Sequence, residues 1–169
     1  AKLMRHFGCD VTMTPFLASL WNESLSFDNF YSVGNHTNQG IYSTLYGFPT
    51  VLSRNAMKGT DIPTYYGMPN VFAEKGYSTS FYMTHESQYD NMNAFLRTNG
   101  FKHIRSQEDY PRDSIVNSFG VSDGFLFDYA LNELKTMQQP FFSVLLTISN
   151  HPPYVVPDWF DAHGWDAEY

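Results

Sequence analysis

Apolar and polar residues along the chain follow two periods, and segments of the two kinds alternate. Apolar residues recur every three to four positions, the period of a helix, in five segments: 14–21, 39–47, 69–76, 91–99 and 124–137. Alternating or nearly continuous apolar residues, as in strands, occupy four segments: 25–33, 77–83, 101–104 and 141–148. The last of these is typical of a parallel strand that is covered on both faces.

The remaining segments are polar or rich in glycine and proline, and we expect them to be loops. They are an irregular lead-in over residues 1–12, a long surface loop over 48–68 and a polar loop over 106–122. A loop as long as the one at 48–68 is usually functional when it occurs inside a compact domain. Asp123 is placed to cap the helix that follows it. The apolar stripe of that helix consists of Leu126, Phe127, Ala130, Leu131 and Leu134.

Helices that alternate with strands in this way predict an α/β fold with a mainly parallel sheet. Ligand sites on such sheets lie beyond the carboxyl ends of the strands. Three of the predicted strand ends carry concentrated polar residues: the loop around Thr37, residues 84–91, and the turn that contains His151. The sequence therefore predicts a site at this edge of the sheet. No stretch has the composition of a linker, so we expect one domain over residues 1–169.

Composition and charge narrow the classes of protein to which the chain can belong. Of its 169 residues, 43% are hydrophobic and 16% are charged, as in a globular domain and unlike a disordered chain. The net charge of -7 and the lack of any lysine- or arginine-rich run argue against nucleic acid as a partner. Cys9 is the single cysteine, so no disulfide can form within the chain. The chain starts without Met, and we expect it to be a fragment of a longer protein.

The loop between the predicted strand at 25–33 and the following helix presents one hydroxyl, that of Thr37, at a helix N-terminus. Backbone N–H groups and the helix dipole favour an anion at such a position. A threonine at the start of a helix is also a common cap, so the residues alone leave a catalytic and a structural role open. His36, next to Thr37, is a weaker candidate for a general base, because adjacent side chains point in different directions.

Other histidines in the polar turns have the same two interpretations. His85 and Glu86, in the break after the strand at 77–83, could be ligands, but an exposed polar loop also explains them. His151 could contact a substrate, or it could bond to carbonyl groups of its own loop before the Pro-Pro turn. Both interpretations stay open for each of these residues.

Several motifs, in the same order along nearly the whole chain, resemble the sulfatase/alkaline-phosphatase superfamily. They are residues 27–32 with Thr37, 77–82, 90–96 with 99–101, and above all Phe141-Phe-Ser-Val-Leu-Leu-Thr-Ile-Ser-Asn-His-Pro-Pro-Tyr154. A buried strand that ends in Thr-x-Ser-Asn-His-Pro-Pro is hard to obtain by chance, which makes the last motif the most specific. The branch that these motifs resemble most is that of the lipoteichoic acid synthase-like phosphoglycerol transferases.

The resemblance implies an alkaline-phosphatase-like three-layer α/β/α sandwich and a set of site residues. Thr37 matches the family's nucleophile, which also binds a divalent metal ion; Mn²⁺ is the first expectation, and Mg²⁺, Zn²⁺ or Ca²⁺ are alternatives. His151 matches a substrate-binding histidine, and Asn91 lies in a region that contacts substrate. The metal matters because an alcohol is a poor nucleophile near neutral pH. A bound cation lowers the pKa of the alcohol and screens the charge that develops on the phosphoryl oxygens.

The function implied by the resemblance is a metal-dependent phosphotransferase or phosphodiesterase on the extracytoplasmic face of a bacterial cell membrane. Its substrate would be a lipid headgroup such as phosphoglycerol, transferred to a glycan or lipid acceptor, and upstream segments would anchor the protein in the membrane. Residues 1–169 would be the N-terminal to central part of one catalytic domain. The other metal ligands would lie before Ala1 and beyond Tyr169. We therefore expect this chain alone to be inactive and to bind metal poorly.

Two alternatives to this function are a sulfuric or phosphoric ester hydrolase of the same superfamily and a catalytically silent relative that binds glycans. True sulfatases carry a Cys/Ser-x-Pro-x-Arg pattern for formylglycine formation. The sequence does not contain this pattern, and Cys9 is followed by Asp10, Val11 and Thr12. The resemblance therefore favours phosphoryl chemistry over the hydrolysis of sulfate esters.

Overall fold

The computed structural model describes residues 4–9, 14–49 and 55–154, which fall into two compact units. The smaller unit comprises residues 1–32 and the larger one residues 33–169. The helices are α1 (Pro15–Leu20), α2 (Thr37–Tyr46), α3 (Met68–Glu74), α4 (Met92–Thr98) and α5 (Asp123–Leu134). The strands are β1 (Ser78–Met83), β2 (His103–Arg105), β3 (Ile115–Asn117), β4 (Gly120–Val121) and β5 (Phe141–Leu146). Among the described residues, none of the helices has the length and apolar character needed to cross a membrane.

The smaller unit contains α1 and a group of rings around Trp21. α1 begins at Pro15, as the sequence predicts, and a 3-10 turn at Trp21–Glu23 follows it directly. The imidazole of His6 lies over Trp21 with ring centres 4.1 Å apart, and its Nε2 is 2.6 Å from Oδ1 of Asp28. These contacts join the two ends of the unit.

Residues 25–33 form no strand, which corrects the prediction made from their alternating pattern. Their large apolar side chains are exposed, among them Leu25, Phe30 and Tyr31. A strand is stable only when a neighbour pairs with its backbone and a core covers at least one face. None of the described strands pairs with this segment. The alternation of apolar and polar residues was therefore not sufficient to make a strand here.

The larger unit is built on a three-stranded parallel sheet with the strand order β2-β1-β5. The strands predicted at 77–83, 101–104 and 141–148 are all present in this sheet, with ends that differ by at most two residues. The central strand β1 pairs with β5 along its whole length, from Ser78 opposite Phe141 to Met83 opposite Leu146. Both strands consequently end at the same edge of the sheet.

Side chains of β1 alternate between two apolar layers. Phe81 and Met83 are fully buried in a cluster that includes residues of α2 and α4. Tyr82 points to the other face and is buried with Leu126 and Ala130 of α5. Helices therefore cover both faces of β1, which confirms the predicted α/β sandwich.

The helix α2 starts at Thr37, two residues before the predicted start, because its first turn is closed by a side chain. Oε1 of Gln39 accepts hydrogen bonds from the backbone N–H groups of Asn35 and His36, at 3.0 and 3.3 Å. Gly47 ends the helix in the left-handed conformation, with φ 72°, that favours glycine. The core-facing residues of the helix are Ile41, Tyr42, Leu45 and Tyr46.

The helices predicted at 69–76 and 91–99 are present as α3 and α4. The apolar residues Met92, Phe95 and Leu96, which lie at helical spacing in the predicted segment, are the buried residues of α4. The described parts of the predicted loop at 48–68 contain neither helix nor strand before Met68. Residues 1–3 and 10–12 of the predicted lead-in and residues 50–54 of that loop lie outside the described residues.

Residues 106–122 contain more regular structure than the predicted loop. Two 3-10 turns, at Gln107–Asp109 and Arg112–Ser114, lead into the antiparallel hairpin of β3 and β4. The N–H of Val121 donates to the carbonyl of Thr84 at 3.2 Å. Gly120 has φ 91°, and a Cβ at this position would overlap the same carbonyl. The hairpin is thus attached to the chain directly after β1.

The start of α5 and the burial of β5 also differ from the predictions. Ser122, and not Asp123, caps the helix: its Oγ accepts a hydrogen bond from the N–H of Phe125 at 3.3 Å. Of the predicted stripe, Leu126 and Ala130 are buried, whereas Phe127 and Leu131 are exposed. β5 is half-buried along its length rather than covered on both faces, because it lies at the edge of the described sheet.

We expect Gly120→Ala to destabilise the fold, because alanine is strained at φ 91° and its Cβ would overlap the Thr84 carbonyl. The expected loss in the free energy of unfolding is about 2 kcal/mol or more. Gly40→Ala is the matched control, since this helical glycine has open space at its Cβ position. The control should raise the free energy of unfolding by about 0.5–1 kcal/mol. Urea unfolding measures both changes, and an unchanged midpoint for Gly120→Ala would contradict the close contact.

Candidate active site

A cleft of about 180 Å³ lies where β1 and β5 end, beside the first turn of α2. Its polar lining residues are Thr37, His85, Tyr89, Thr147, Asn150 and His151, and its apolar ones are Phe119, Leu146 and Ile148. These residues come from four segments that are far apart in the sequence. The cleft is therefore at the carboxyl edge of the parallel sheet, where the sequence predicted a site.

Thr37 is the first residue of α2, and its side chain is exposed to the cleft. The N–H groups at the start of a helix have no partner within the helix, and together with the helix dipole they favour negative charge. The N–H groups of Gln39 and Gly40 both donate to the carbonyl of His36 at 3.1 Å, so the helix is regular from its first turn. The Thr37 hydroxyl is thus presented on a rigid helix end that attracts an anion.

An aspartate holds the first turn of α2 in place. Nδ2 of Asn38, a buried residue, donates to Oδ2 of Asp90 at 2.7 Å, and Nζ of Lys58 lies 2.7 Å from Oδ1 of the same carboxylate. Burial raises the pKa of Asp90, but the hydrogen bonds from Lys58 and Asn38 outweigh this effect and hold the pKa below its usual range.

Asp90 and Asn91 both adopt positive φ, 53° and 60°, a conformation that asparagine and aspartate tolerate better than most residues. Nδ2 of Asn91 is bonded to the carbonyl of Met57 at 2.8 Å.

His85 follows β1 closely and is 3% exposed, which corrects the expectation of an exposed polar loop at this residue. Its Nδ1 lies 3.0 Å from the carbonyl oxygen of Glu86. A carbonyl only accepts hydrogen bonds, so Nδ1 carries the proton and Nε2 keeps its lone pair. Burial lowers the pKa of His85 below its ordinary value of 6.5, even though several carboxylates nearby raise it. His85 is consequently a neutral acceptor near neutral pH.

The turn after β5 brings Asn150 and His151 to the cleft. The N–H of His151 donates to the carbonyl of Ile148 at 2.9 Å, and its Nδ1 lies 2.6 Å from the carbonyl oxygen of Pro152. Nδ1 is therefore the protonated nitrogen here too, and Nε2 is available to a ligand. The bond to a carbonyl of its own loop is the structural role that the sequence left open.

Four rings follow one another along the cleft. The ring centres of His85 and Tyr89 are 4.8 Å apart, those of Tyr89 and Phe119 6.4 Å, and those of Phe119 and His151 4.7 Å. Tyr89 is 45% exposed and Phe119 is half-buried. The two histidines are thus joined by aromatic surface that can pack against a ligand.

The structure brings two of the three predicted site residues together. Thr37 and His151 both line the cleft, whereas Asn91 is not among the lining residues and its amide is bonded to Met57. The roles assigned to all three remain predictions. Sequence reasoning left His85 undecided and did not identify Tyr89 or Phe119 as site residues. His85 could have been favoured from its place directly after a buried strand, but nothing in the local sequence points to Phe119.

A divalent metal ion would find only part of a site in the described residues. These residues contain no group of three or more His, Cys, Asp or Glu side chains that could hold one. Among the described residues that line the cleft, the donors are hydroxyls, two imidazoles and an amide. Mg²⁺ and Mn²⁺ favour carboxylate and other oxygen ligands. Thr37 fits as one such ligand, but the described residues do not complete a metal site by themselves.

Comparisons with solved structures define the class of fold. A protein in the alkaline phosphatase superfamily from Vibrio parahaemolyticus superposes with a TM-score of 0.77 and 35% identity, over 86% of this chain and 36% of that one. The lipoteichoic acid synthase LtaP from Listeria monocytogenes superposes with a TM-score of 0.75 and 22% identity, over 86% and 37% of the two chains. The chain therefore has the alkaline-phosphatase-like α/β fold, as a partial domain.

Sequence comparison then gives the family. The profile of the Sulfatase family matches residues 2–164, and the chain belongs to this family. It is 26% identical over 155 residues to the lipoteichoic acid synthase-like protein YvgJ of Bacillus subtilis. It is 27% identical over 156 residues to a lipoteichoic acid synthase of Staphylococcus aureus. In both comparisons 86% of this chain is covered, and the chain spans about a quarter (24%) of the relative's length.

We expect the stability of the protein to fall as the pH is lowered from about 7 to 5, in part because of His85. The unfolded chain binds a proton on this histidine below its ordinary pKa of 6.5, but the folded chain, whose His85 pKa is lower, does not. Between its pKa in the folded chain and the ordinary value of 6.5, His85 therefore lowers the free energy of unfolding by up to about 1.4 kcal/mol for each pH unit that the pH falls.

Thermal unfolding of His85→Asn, which keeps a donor for the Glu86 carbonyl, tests this expectation. The variant should show a smaller loss of melting temperature between about pH 7 and 5 than the wild type. His103→Asn, at an exposed histidine on β2, is the control and should follow the wild type. Parallel pH profiles for wild type and His85→Asn would contradict the assignment.

Proposed function

We propose that the chain forms part of the catalytic domain of a phosphotransferase or phosphodiesterase in which Thr37 is the nucleophile. The observation that supports this most directly is the position of the Thr37 hydroxyl. It lies at the N-terminus of a regular helix and lines the same cleft as His85 and His151, in a chain of the Sulfatase family. An anionic ester in the cleft would face N–H groups, a hydroxyl and two histidines.

In the proposed reaction, Oγ1 of Thr37 forms a bond to the phosphorus of a phosphodiester. The bond from phosphorus to the leaving alcohol breaks, and the leaving oxygen takes up the proton that the Thr37 hydroxyl releases. An acceptor alcohol or water then attacks the phosphothreonine and restores the free hydroxyl. His85, which is neutral and has a lone pair on Nε2, is suited to accept a proton or hydrogen bond, and His151 to hold a phosphoryl oxygen.

The proposal includes a divalent metal ion, with Mn²⁺ as the first choice. When bound, such an ion lowers the pKa of an alcohol and stabilises charge on phosphoryl oxygens. Thr37 is the residue of this chain that we assign to it.

We propose a phosphoglycerol or similar lipid headgroup as the substrate and a glycan or lipid as the acceptor. The names of the relatives, one a lipoteichoic acid synthase and one a lipoteichoic acid synthase-like protein, support this class of substrate. A cleft of about 180 Å³ is smaller than most sites for drug-sized ligands, so it suits a phosphoryl headgroup and not a whole lipid. Such a substrate implies action at the extracytoplasmic face of the bacterial membrane, with membrane attachment through other segments. The net charge of -7 disfavours a nucleic-acid partner.

A sulfate-ester hydrolase is the second candidate, because the matching family is the Sulfatase family. The residue at the helix N-terminus argues against it. Formylglycine is made from cysteine or serine in a Cys/Ser-x-Pro-x-Arg pattern, whereas this position is Thr37 in Thr-Asn-Gln-Gly-Ile. Threonine keeps its hydroxyl as the nucleophile, which suits transfer of a phosphoryl group.

We expect the natural protein that carries this sequence to cleave a chromogenic phosphodiester in the presence of Mn²⁺. Thr37→Ala should lower kcat by at least about a thousandfold, because it removes the attacking oxygen. Thr37→Ser, which keeps a hydroxyl, should retain part of the activity. Thr98→Ala, at an exposed threonine in α4 outside the cleft, should behave as the wild type.

A matching chromogenic sulfate ester, assayed in parallel, separates the alternatives. Cleavage of the sulfate ester alone would move the protein to the sulfatases. No cleavage of either ester, together with no binding of Mn²⁺, would favour a silent relative that binds glycans. Full activity of Thr37→Ala on the phosphodiester would overturn the assignment of the nucleophile.

A further inference from the structure

The loop after β5, which carries Asn150 and His151, is held by one carboxylate from another element. Oδ1 of Asp123 accepts hydrogen bonds from the N–H groups of Ile148 at 2.7 Å and Ser149 at 3.0 Å. In return, the N–H of Asp123 donates to Oγ of Ser149 at 3.1 Å. Three hydrogen bonds therefore link the first residue of α5 to the two residues that precede Asn150.

This link is not required to start the helix. Oγ of Ser122 already caps α5 by accepting from the N–H of Phe125. A carboxylate in the first turn of a helix is favoured by the helix dipole wherever it points. The carboxylate of Asp123 accepts its hydrogen bonds from the loop and not from its own helix. Hydrogen bonds to a charged acceptor are roughly twice as strong as neutral ones, so this link is stronger than the usual loop contact.

The described residues of the loop that Asp123 holds are mostly exposed. Thr147, Ser149, Asn150 and His151 are all exposed, so apolar burial contributes little to their placement. Ile148, which Asp123 binds, also accepts the N–H of His151 at 2.9 Å through its carbonyl. The position of His151 therefore depends on the peptide units that Asp123 binds.

The segment that ends in Asp123 is itself fixed to the other side of the cleft. Val121 donates to the carbonyl of Thr84, and Gly120 packs so closely on that carbonyl that no side chain fits. Phe119, from the same segment, lines the cleft and contacts the ring of His151. Residues 119–123 thus connect the chain after β1 with the chain after β5.

We propose that Asp123 is a positioning residue of the active site: its carboxylate fixes the loop after β5 so that His151 lines the same cleft as Thr37. The proposal rests on the proposed function for its effect on catalysis. It assigns Asp123 no contact with the substrate. Its loss should let the loop and His151 move, and a misplacement of about 1 Å can cost up to a hundredfold in rate.

The first test is the activity of Asp123→Ala on the chromogenic phosphodiester, in the natural protein with Mn²⁺. We expect kcat/KM to fall by about tenfold. Asp123→Asn, which keeps a neutral oxygen acceptor, should lose less. Asp128→Ala is the control, because it removes the same charge from an exposed position on the same helix and should leave kcat/KM unchanged.

A double-mutant cycle with His151→Ala separates positioning from a general loss of stability. If Asp123 acts through the loop of His151, Asp123→Ala should have little further effect on kcat/KM once His151 is gone. A purely structural role would instead lower kcat/KM by the same factor in both backgrounds. That result, or a wild-type kcat/KM for Asp123→Ala, would overturn the proposal. If Asp123→Ala does not fold, Ser149→Ala and Asp123→Asn take its place, and their kcat/KM values are measured with and without His151→Ala in the same way.

Hydrogen exchange of the Ile148 and Ser149 amides gives a readout that needs no activity. Asp123→Ala should speed exchange at both amides by about tenfold or more, whereas Asp128→Ala should not. Unchanged exchange would overturn the proposal even in an active enzyme. Exchange could also be faster in Asp123→Ala while the wild-type protein cleaves neither ester. That result would support the link between Asp123 and the loop but would refute the proposed function.

Discussion

The parallel pairing of β1 with β5 is the constraint on which the site depends. The two strands are in register from Ser78 opposite Phe141 to Met83 opposite Leu146, so both chains leave the sheet at the same edge and in the same direction. Parallel strands cannot be joined by a tight turn, and the connection between them runs through α4, β2, the hairpin and α5. The residues that follow the two strands, His85 and His151, are separated by a long connection and yet line one cleft.

Burial of β1 on both faces explains why α2 brings its N-terminus to the same edge. Phe81 and Met83 need an apolar cover, and the buried residues of α2 belong to the same cluster. The hydroxyl of Tyr46, near the end of α2, donates to the carbonyl of Asn99 at 2.8 Å and so fixes the far end of the helix. With one end fixed and one face buried, the first turn of the helix and Thr37 have little freedom relative to the sheet. Apolar packing some distance away therefore helps to position the nucleophile that we propose, in addition to the hydrogen bond between Asn38 and Asp90.

How much could be predicted from the sequence depends on how local the signal was. The period of apolar residues predicted α2 to α5 and the parallel strands, because each of these elements buries at least part of its apolar face. The same rule failed for residues 25–33, since a strand also needs a partner that its own residues do not encode. It missed the β3–β4 hairpin, which is short and whose Gly120 is required by contact with Thr84, 36 positions away in the chain. The hydrogen bond from Ile148 to Asp123 could not be predicted either, because a carboxylate before a helix predicts a helix cap. Thr37 and His151 could be singled out because the resemblance rested on motifs around them.

The two sides of the cleft are fixed by the same physical device, a carboxylate that bonds to a neighbouring segment. Asp90 bonds to Asn38 beside Thr37, and Asp123 bonds to the backbone of the loop before His151. Apolar packing could not fix these segments at the cleft itself, because side chains that filled the space would also exclude a polar substrate. Charged hydrogen bonds hold a loop without covering it, so the hydroxyls and imidazoles that line the cleft stay uncovered. Two carboxylates close to a site for an anionic ester would be unfavourable if they faced it. Asp90 is instead compensated by the ammonium group of Lys58, and Asp123 accepts hydrogen bonds from two backbone N–H groups. These contacts weaken the repulsion between each carboxylate and the anionic ester that we propose as substrate.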